Sequence, residues 1–220
     1  TRDDTYDMRR DDLGHPNRNN IIDIIRDVSK ECYMPITVGG RIRSVNDISL
    51  RLANGADKVA INTKAIEDPS FITEAAKVFG SQCIIVSIDV KEVDGAYRVM
   101  LDGGRKDTGM DPADWAKKVA EYGAGEIFLN SVDRDGQRNG FDLSLINTVS
   151  KAVRIPVIAC GGAGGWHHFS DVFEQTQADA VAAANIFHYV DQSVYLAKKY
   201  VYEKKCPVRP PDLTLEGVKR

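Results

Sequence analysis

Residues Val157 to Gly165 read Val-Ile-Ala-Cys-Gly-Gly-Ala-Gly-Gly, an apolar run of strand length that empties into five small residues, four of them glycine. A continuous apolar run without alternation predicts a parallel strand buried on both faces. A turn lacking Cβ atoms lets backbone N–H groups approach an anion closely, and the start of a following helix adds partial positive charge. A shorter version stands upstream as Pro35-Ile36-Thr37-Val38-Gly39-Gly40, and the two Gly-Gly pairs lie 122 residues apart. Both strands also follow a proline. A chain that ends a buried strand in the same turn twice is limited to folds that repeat βα units.

The rest of the chain keeps to that alternation. Residues 1 to 19 are rich in Asp, Arg and Asn and read as a loop. Ile21, Ile22, Ile25 and Val28 then follow helical spacing, and Pro35 stops them before a strand over Ile36–Val38. Ser44 is placed to cap a helix that Gly55 closes. The strand Lys58–Asn62, a helix from Asp68-Pro69 through Val78, and the apolar run Cys83–Asp89 follow. Lys91 to Gly104 alternates around Asp94-Gly95, a hairpin signal, and reads as an excursion on the rim. Beyond it come a helix from Asp111-Pro112 through Tyr122, strand Glu126–Asn130, helix Leu143–Val153 and strand Val157–Cys160. Helix Trp166–Thr176, strand Ala180–Ala184 and helix Ser193–Tyr202 complete the series.

Strands that alternate with helices imply a parallel sheet. With the repeat, they predict an α/β (β/α)8 TIM barrel built from two half-barrels. Such a barrel needs about 250 residues, and only two strands precede the Cys83 run. The expectation is therefore that the N-terminal first two strands are missing from this chain. Residues 1–205 then form a barrel domain lacking its first βα unit and second strand, and 206–220 form an extended proline-rich C-terminal tail.

Composition narrows the partners. With 29 basic and 32 acidic residues evenly mixed and a net charge of −3, no face is marked for nucleic acid. No apolar run approaches the ~20 residues needed to cross a bilayer. The four cysteines are widely spread, without the paired spacing of zinc or redox sites. These readings predict a cytoplasmic protein with no metal, no cofactor, no nucleic-acid partner and no membrane contact.

In a parallel barrel the reactive groups stand at the carboxyl ends of strands. Asp89 closes the apolar run Ile84–Ile88, where a carboxylate beside a dry core is costly unless paired or working. It is a candidate general acid/base; the plainer role is to cap the next turn. Asp133-Arg134-Asp135-Gly136 holds two carboxylates in a strand-end loop, equally readable as a satisfied turn. The turns at Gly40 and at Gly161 and Gly162 are each followed about 22 residues later by another strand end, Asn62-Thr63 and Ala184-Asn185. That layout predicts two anion sites across one barrel mouth and a ligand with a phosphate at each end. His167-His168, adjacent in a helix, point to different faces and read as ordinary helix residues. Trp115 and Trp166 read as packing residues.

Several ordered segments together resemble the cyclase subunit of imidazole glycerol phosphate synthase. They are Gly55-Ala56-Asp57-Lys58-Val59-Ala60-Ile61-Asn62-Thr63, Phe79-Gly80-Ser81-Gln82, Ser87-Ile88-Asp89-Val90-Lys91, Gly123-Ala124-Gly125-Glu126-Ile127, Asp133-Arg134-Asp135-Gly136, Gly161-Gly162-Ala163-Gly164 and Phe187-His188. The resemblance implies a lyase of histidine biosynthesis. It combines ammonia from a glutaminase subunit with a two-phosphate ribulosyl aminoimidazole carboxamide nucleotide, giving imidazole glycerol phosphate and aminoimidazole carboxamide ribonucleotide. It makes Asp89 one of two catalytic aspartates and assigns Asn62, Thr63, Asp135, Gly136, Gly162 and Ala184 to substrate and phosphate sites. Lys58 and Glu126 match half of a charged gate that admits ammonia at the opposite barrel face.

Three departures accompany the resemblance. The second catalytic aspartate belongs to a first strand not found in this sequence. Arg41 stands where the family usually has a third glycine, and Asn185 where it has a phosphate-binding serine. These changes, with Leu101 to Lys106 and the proline-rich tail, also resemble paralogues that channel ammonia to bacterial surface-sugar amidination. A third possibility is a non-catalytic phosphate-binding activator of the glutaminase.

Overall fold

The computed structural model describes residues 20–188 and 193–211. The loop expected over residues 1–19 and the last part of the tail lie outside them. The elements run α1 (Ile21–Glu31), β1 (Thr37–Gly39), α2 (Val45–Ala53), β2 (Lys58–Ile61), α3 (Thr63–Glu67), α4 (Ser70–Phe79), β3 (Ile84–Val93), β4 (Ala96–Leu101), β5 (Lys106–Asp107), α5 (Pro112–Glu121), β6 (Glu126–Ser131), α6 (Leu143–Ser150), β7 (Val157–Cys160), α7 (Trp166–Gln175), β8 (Ala180–Ala182) and α8 (Val194–Glu203). Six parallel strands follow one path, β1-β2-β3-β6-β7-β8, with β4 and β5 as an antiparallel annex on β3. This is the α/β architecture of a (β/α)8 barrel, a curled parallel sheet with helices outside.

Alternation along the strands separates two faces. On β6, Ile127 and Leu129 are fully buried and pack in the core shared with the helices, while Glu126, Phe128 and Asn130 take the other face. The registers Ile85↔Glu126, Asp89↔Asn130 and Asn130↔Cys160 carry that inner face across β3 and β7. The outer face meets the apolar stripes of the helices: Val59, Ile84, Val86, Ile88 and Val157 join Ile48, Ile72, Val119, Leu145 and Val172 in one continuous core. Burial of each such side chain contributes about 1.5–3 kcal/mol.

The helix starts follow their sequence signals. Ser44 caps α2 in a full capping box with Asp47, Asp111 caps α5 ahead of Pro112, and Ser193 caps α8. Asp94 and Gly95, with φ of 51° and 76°, form the tip of the β3–β4 hairpin between Val93 and Ala96. Among residues 206–211, Cys206 is buried and Val208 packs on the core.

Candidate active site at the strand ends

β3 does not stop at Asp89 as the apolar run suggested; it continues four residues to Val93. Asp89 is therefore a mid-strand residue, paired in parallel with Asn130 of β6 and antiparallel with Met100 of β4. Its carboxylate takes one amide donor per oxygen. Asn62 Nδ2 donates to Oδ2 at 2.9 Å and Asn130 Nδ2 to Oδ1 at 3.2 Å. Burial raises the Asp89 carboxyl above its ordinary range; the two amides pull it back, and the Asp135 charge raises it further. A carboxyl whose pKa is raised in this way holds and returns a proton more readily than a solvated one. It does not cap the following turn.

The two amides are themselves half used. Having turned their N–H groups to Asp89, Asn62 and Asn130 leave Oδ1 atoms that are buried without a hydrogen-bond partner among the described residues. An orphaned buried acceptor costs about 1–3 kcal/mol, and a ligand bearing N–H groups would recover that cost. Asn62 follows the last residue of β2, at the N-cap of α3, and makes no side-chain cap because that side chain is committed to Asp89. Thr63 opens α3.

Asp133 and Asp135 separate in role. Asp133 Oδ2 accepts the Glu92 N–H at 2.8 Å, tying the loop after β6 to the rim hairpin. Asp135 acts on Asp89 and on Cys160 through its charge, and Gly136 beside it has a φ of 75°. Cys160, next to Asn130 across the β6–β7 register, has its thiol pushed up to about 11 by burial and by the Asp135 and Asp89 charges.

The glycine turns close β1 and β7. The second glycine of each pair lies in the left-handed region, Gly40 at φ 93° and Gly162 at φ 108°, and Gly161 is also positive at 93°. Arg51 donates to the Gly40 carbonyl at 2.8 Å, and the Gly140 N–H donates to the Gly162 carbonyl at 2.9 Å. The helix ends behind the turns differ. Ser44 and Asp47 cap α2, whereas Gly165 at the N-cap of α7 has no side chain to offer. Ala184 and Asn185 follow β8, and Asn185 begins a single 3₁₀ turn to His188.

The histidine pair departs from expectation. The His167 and His168 rings stand 4.0 Å apart rather than on separate faces. His168 Nδ1 accepts the Gly164 N–H at 3.1 Å, which draws its ring back over the glycine turn. Burial and the neighbouring His167 lower the His168 pKa. Trp115 is buried in the core, and Trp166 packs on Phe169 and Phe187, as packing residues should.

At the other end of the sheet, Lys58 and Glu126 form an ion pair across the inner face. From Glu126 to Asn130 on the same strand is about 13 Å at the usual strand rise. A cavity of about 960 Å³ extends from Gly40, Arg41, Asn62 and Thr63 at the mouth to Thr37, Ala60, Ile85, Ser87, Phe128 and Ile158 within. The structure thus gathers Asp89, Asn62 and Asp135 near one another and sets Lys58 and Glu126 apart from them. Sequence reading did not single out Asn130, although its parity with Glu126 on an alternating strand already put it on the inner face. Arg51 was missed as well.

The family model described as histidine biosynthesis protein matches residues 12–193. The imidazole glycerol phosphate synthase subunit HisF of Alkaliphilus metalliredigens (strain QYMF) is 46% identical over 196 residues, covering 89% of this chain and 78% of the relative. The protein of the same name from Clostridium botulinum (strain Okra / Type B1) is 47% identical over 198 residues, with the same coverage. Among the described residues no helix is long and apolar enough to cross a membrane.

Proposed function

The chain belongs to the histidine biosynthesis protein family, and on that premise we propose that it is the ammonia-dependent cyclase of an imidazole glycerol phosphate synthase. In this reading it is a lyase acting on the two-phosphate ribulosyl aminoimidazole carboxamide nucleotide. The products are imidazole glycerol phosphate and aminoimidazole carboxamide ribonucleotide. The observation that carries it is the half-buried Asp89 clamped between Asn62 and Asn130, at one end of an inner sheet face whose other end holds the Lys58–Glu126 pair.

Asp89 exchanges protons with the reacting groups, its pKa held above the ordinary range by burial. The orphaned Asn62 and Asn130 oxygens accept N–H groups of the reactants, which spares the ligand-free penalty of two unpaired acceptors. One phosphate rests at the Gly40 turn with Thr63; the other rests at Gly161 and Gly162 with Ala184 and Asn185. Positive φ in both turns supports this, because it frees successive backbone N–H groups for an anion. Asp135 and Gly136 line the same mouth. A glutaminase subunit delivers ammonia at the Lys58–Glu126 end of the inner sheet face that Asp89 shares.

The test supplies the full-length protein with ammonium salt and the nucleotide, following release of both products. Turnover that vanishes in Asp89→Asn supports the reading. A folded wild-type protein that binds the nucleotide and leaves it unchanged overturns it.

A further inference from the structure

Arg51 is a charged residue only 6% exposed, buried on α2 behind the β1 turn. One guanidinium nitrogen donates to the Asp47 carbonyl and another to the Gly40 carbonyl, both at 2.8 Å. Charge-assisted bonds of this kind are about twice as strong as neutral ones. The consequence lies one peptide further on. In a trans peptide the C=O and the next N–H point in opposite directions, and the chain has no cis bond among the described residues. Fastening the Gly40 oxygen back toward α2 therefore directs the Arg41 N–H away from α2.

The second turn repeats the device with other parts. Gly162 stands 122 residues after Gly40, and its carbonyl is fastened too, here by the Gly140 N–H at 2.9 Å. The Ala163 N–H is directed away from Gly140 by the same peptide geometry. A guanidinium on one side and a backbone amide on the other thus fasten the matching carbonyl in two related turns. Both carbonyls belong to glycines at strongly positive φ, 93° and 108°, a conformation that glycine adopts freely and that leaves the direction of the peptide to its hydrogen bonds.

We propose that Arg51 is the positioning residue of the β1 turn, fixing the Gly40–Arg41 peptide so that its N–H faces a phosphate group of the substrate. This rests on the two-phosphate reading above. Arg51 contacts the peptide and not the ligand; its backbone bonds fix direction, and its buried positive charge favours an anion nearby. The charge is not left bare, since Asp47 carries the balancing negative. Burial pushes Asp47 up, but the Arg43 and Ser44 donors and the Arg51 charge outweigh it and keep its pKa below the ordinary range.

The experiment compares wild type with Arg51→Met, which keeps side-chain length but donates nothing, and Arg51→Lys, which keeps charge but loses the fork. Two readouts are taken: steady-state kinetics with ammonium salt and nucleotide, and calorimetric titration with inorganic phosphate. Arg51→Met is expected to raise the nucleotide KM by on the order of ten-fold with kcat within about three-fold, and to weaken phosphate binding similarly. Arg51→Lys should recover part of both effects. Unchanged KM and phosphate affinity in folded Arg51→Met overturn the proposal. So does loss of kcat and thermal stability together without a KM change in either variant, the pattern of a merely structural residue. If wild type binds phosphate but shows no turnover, the cyclase reading falls while the titration still decides on Arg51.

Discussion

Gly40 and Gly162 occupy matching points of the two turns, yet replacing them with alanine should have unequal results. At Gly40 a Cβ would meet nothing within 4 Å, whereas at Gly162 it would stand 2.2 Å from the Gly140 carbonyl oxygen and 2.7 Å from its carbon. Both substitutions incur the torsional penalty of a side chain at positive φ, about 1–3 kcal/mol. Both also gain about 0.4–1 kcal/mol from a stiffer unfolded chain. These terms largely cancel between the two. What remains is particular to Gly162: backbone must move by more than half an ångström, and the Gly140 N–H to Gly162 carbonyl bond is strained or lost. That bond is worth about 0.5–1.5 kcal/mol. Adding the displacement, Gly162→Ala should be less stable than Gly40→Ala by about 1–3 kcal/mol. For a chain of this length a kcal/mol corresponds to about 2–4 °C. Thermal unfolding should therefore separate the variants by roughly 2–12 °C, and urea titration should show equal m-values. Equal melting temperatures would refute the argument that the Gly140 carbonyl leaves no room at the β7 turn.

Asp89→Asn is expected to abolish turnover while leaving the melting temperature at pH 7 unchanged or a few degrees higher. The sign follows from its raised pKa. The unfolded chain loses this proton near the ordinary 3.8, and the folded protein holds it to higher pH. Stability from the proton is thus full below about pH 4 and lost as pH rises through the folded value; the variant should lack that slope, and a clear loss of stability would argue for a structural role. Substituting Lys58 by Met or Glu126 by Gln should depress glutamine-driven activity more than ammonium-driven activity, and equal losses would count against a gate. Cys160, with its thiol pushed up to about 11, should resist iodoacetamide at pH 8 in the folded protein and react after denaturation in urea; ready labelling at Cys160 itself in native protein, located by peptide mapping, would contradict that raised pKa.

What the chain disclosed on its own depended on the range of the interactions involved. Strand β7 was placed at its exact bounds because Pro156 and the glycine run punctuate it locally. The end of β3 was misjudged at Asp89 because the pattern changes there from continuous to alternating. That change marks not a strand end but the exit from the two-sided barrel sheet into a hairpin with one exposed face. The five-residue α3 is too short to show helical periodicity. Expected helix α6 ran to Val153 but ends at Ser150, where the chain turns ahead of Pro156. The candidate carboxylate was legible from its cost beside a dry core. Its neighbours Asn62 and Asn130 lie 27 and 41 residues away; the sequence put Asn62 at a strand end of the mouth, but nothing local showed that it meets Asp89. Arg51 was invisible for a different reason: a lone arginine on a helix ordinarily belongs to the solvated face, and nothing local shows that the glycine turn lies above it.

The long strand β3 has a practical use as well. Asp89 has a hydrogen-bonded strand on each side, Asn130 on one and Met100 on the other, so its backbone is held rigidly. Beyond it the same ribbon carries the exposed tip Asp94–Gly95 outward by about 16 Å. A fluorophore or a short inserted peptide attached at that tip would ride on a stiff lever rooted at the carboxylate. The rim hairpin is thus a ready mounting point for a reporter of what enters the mouth.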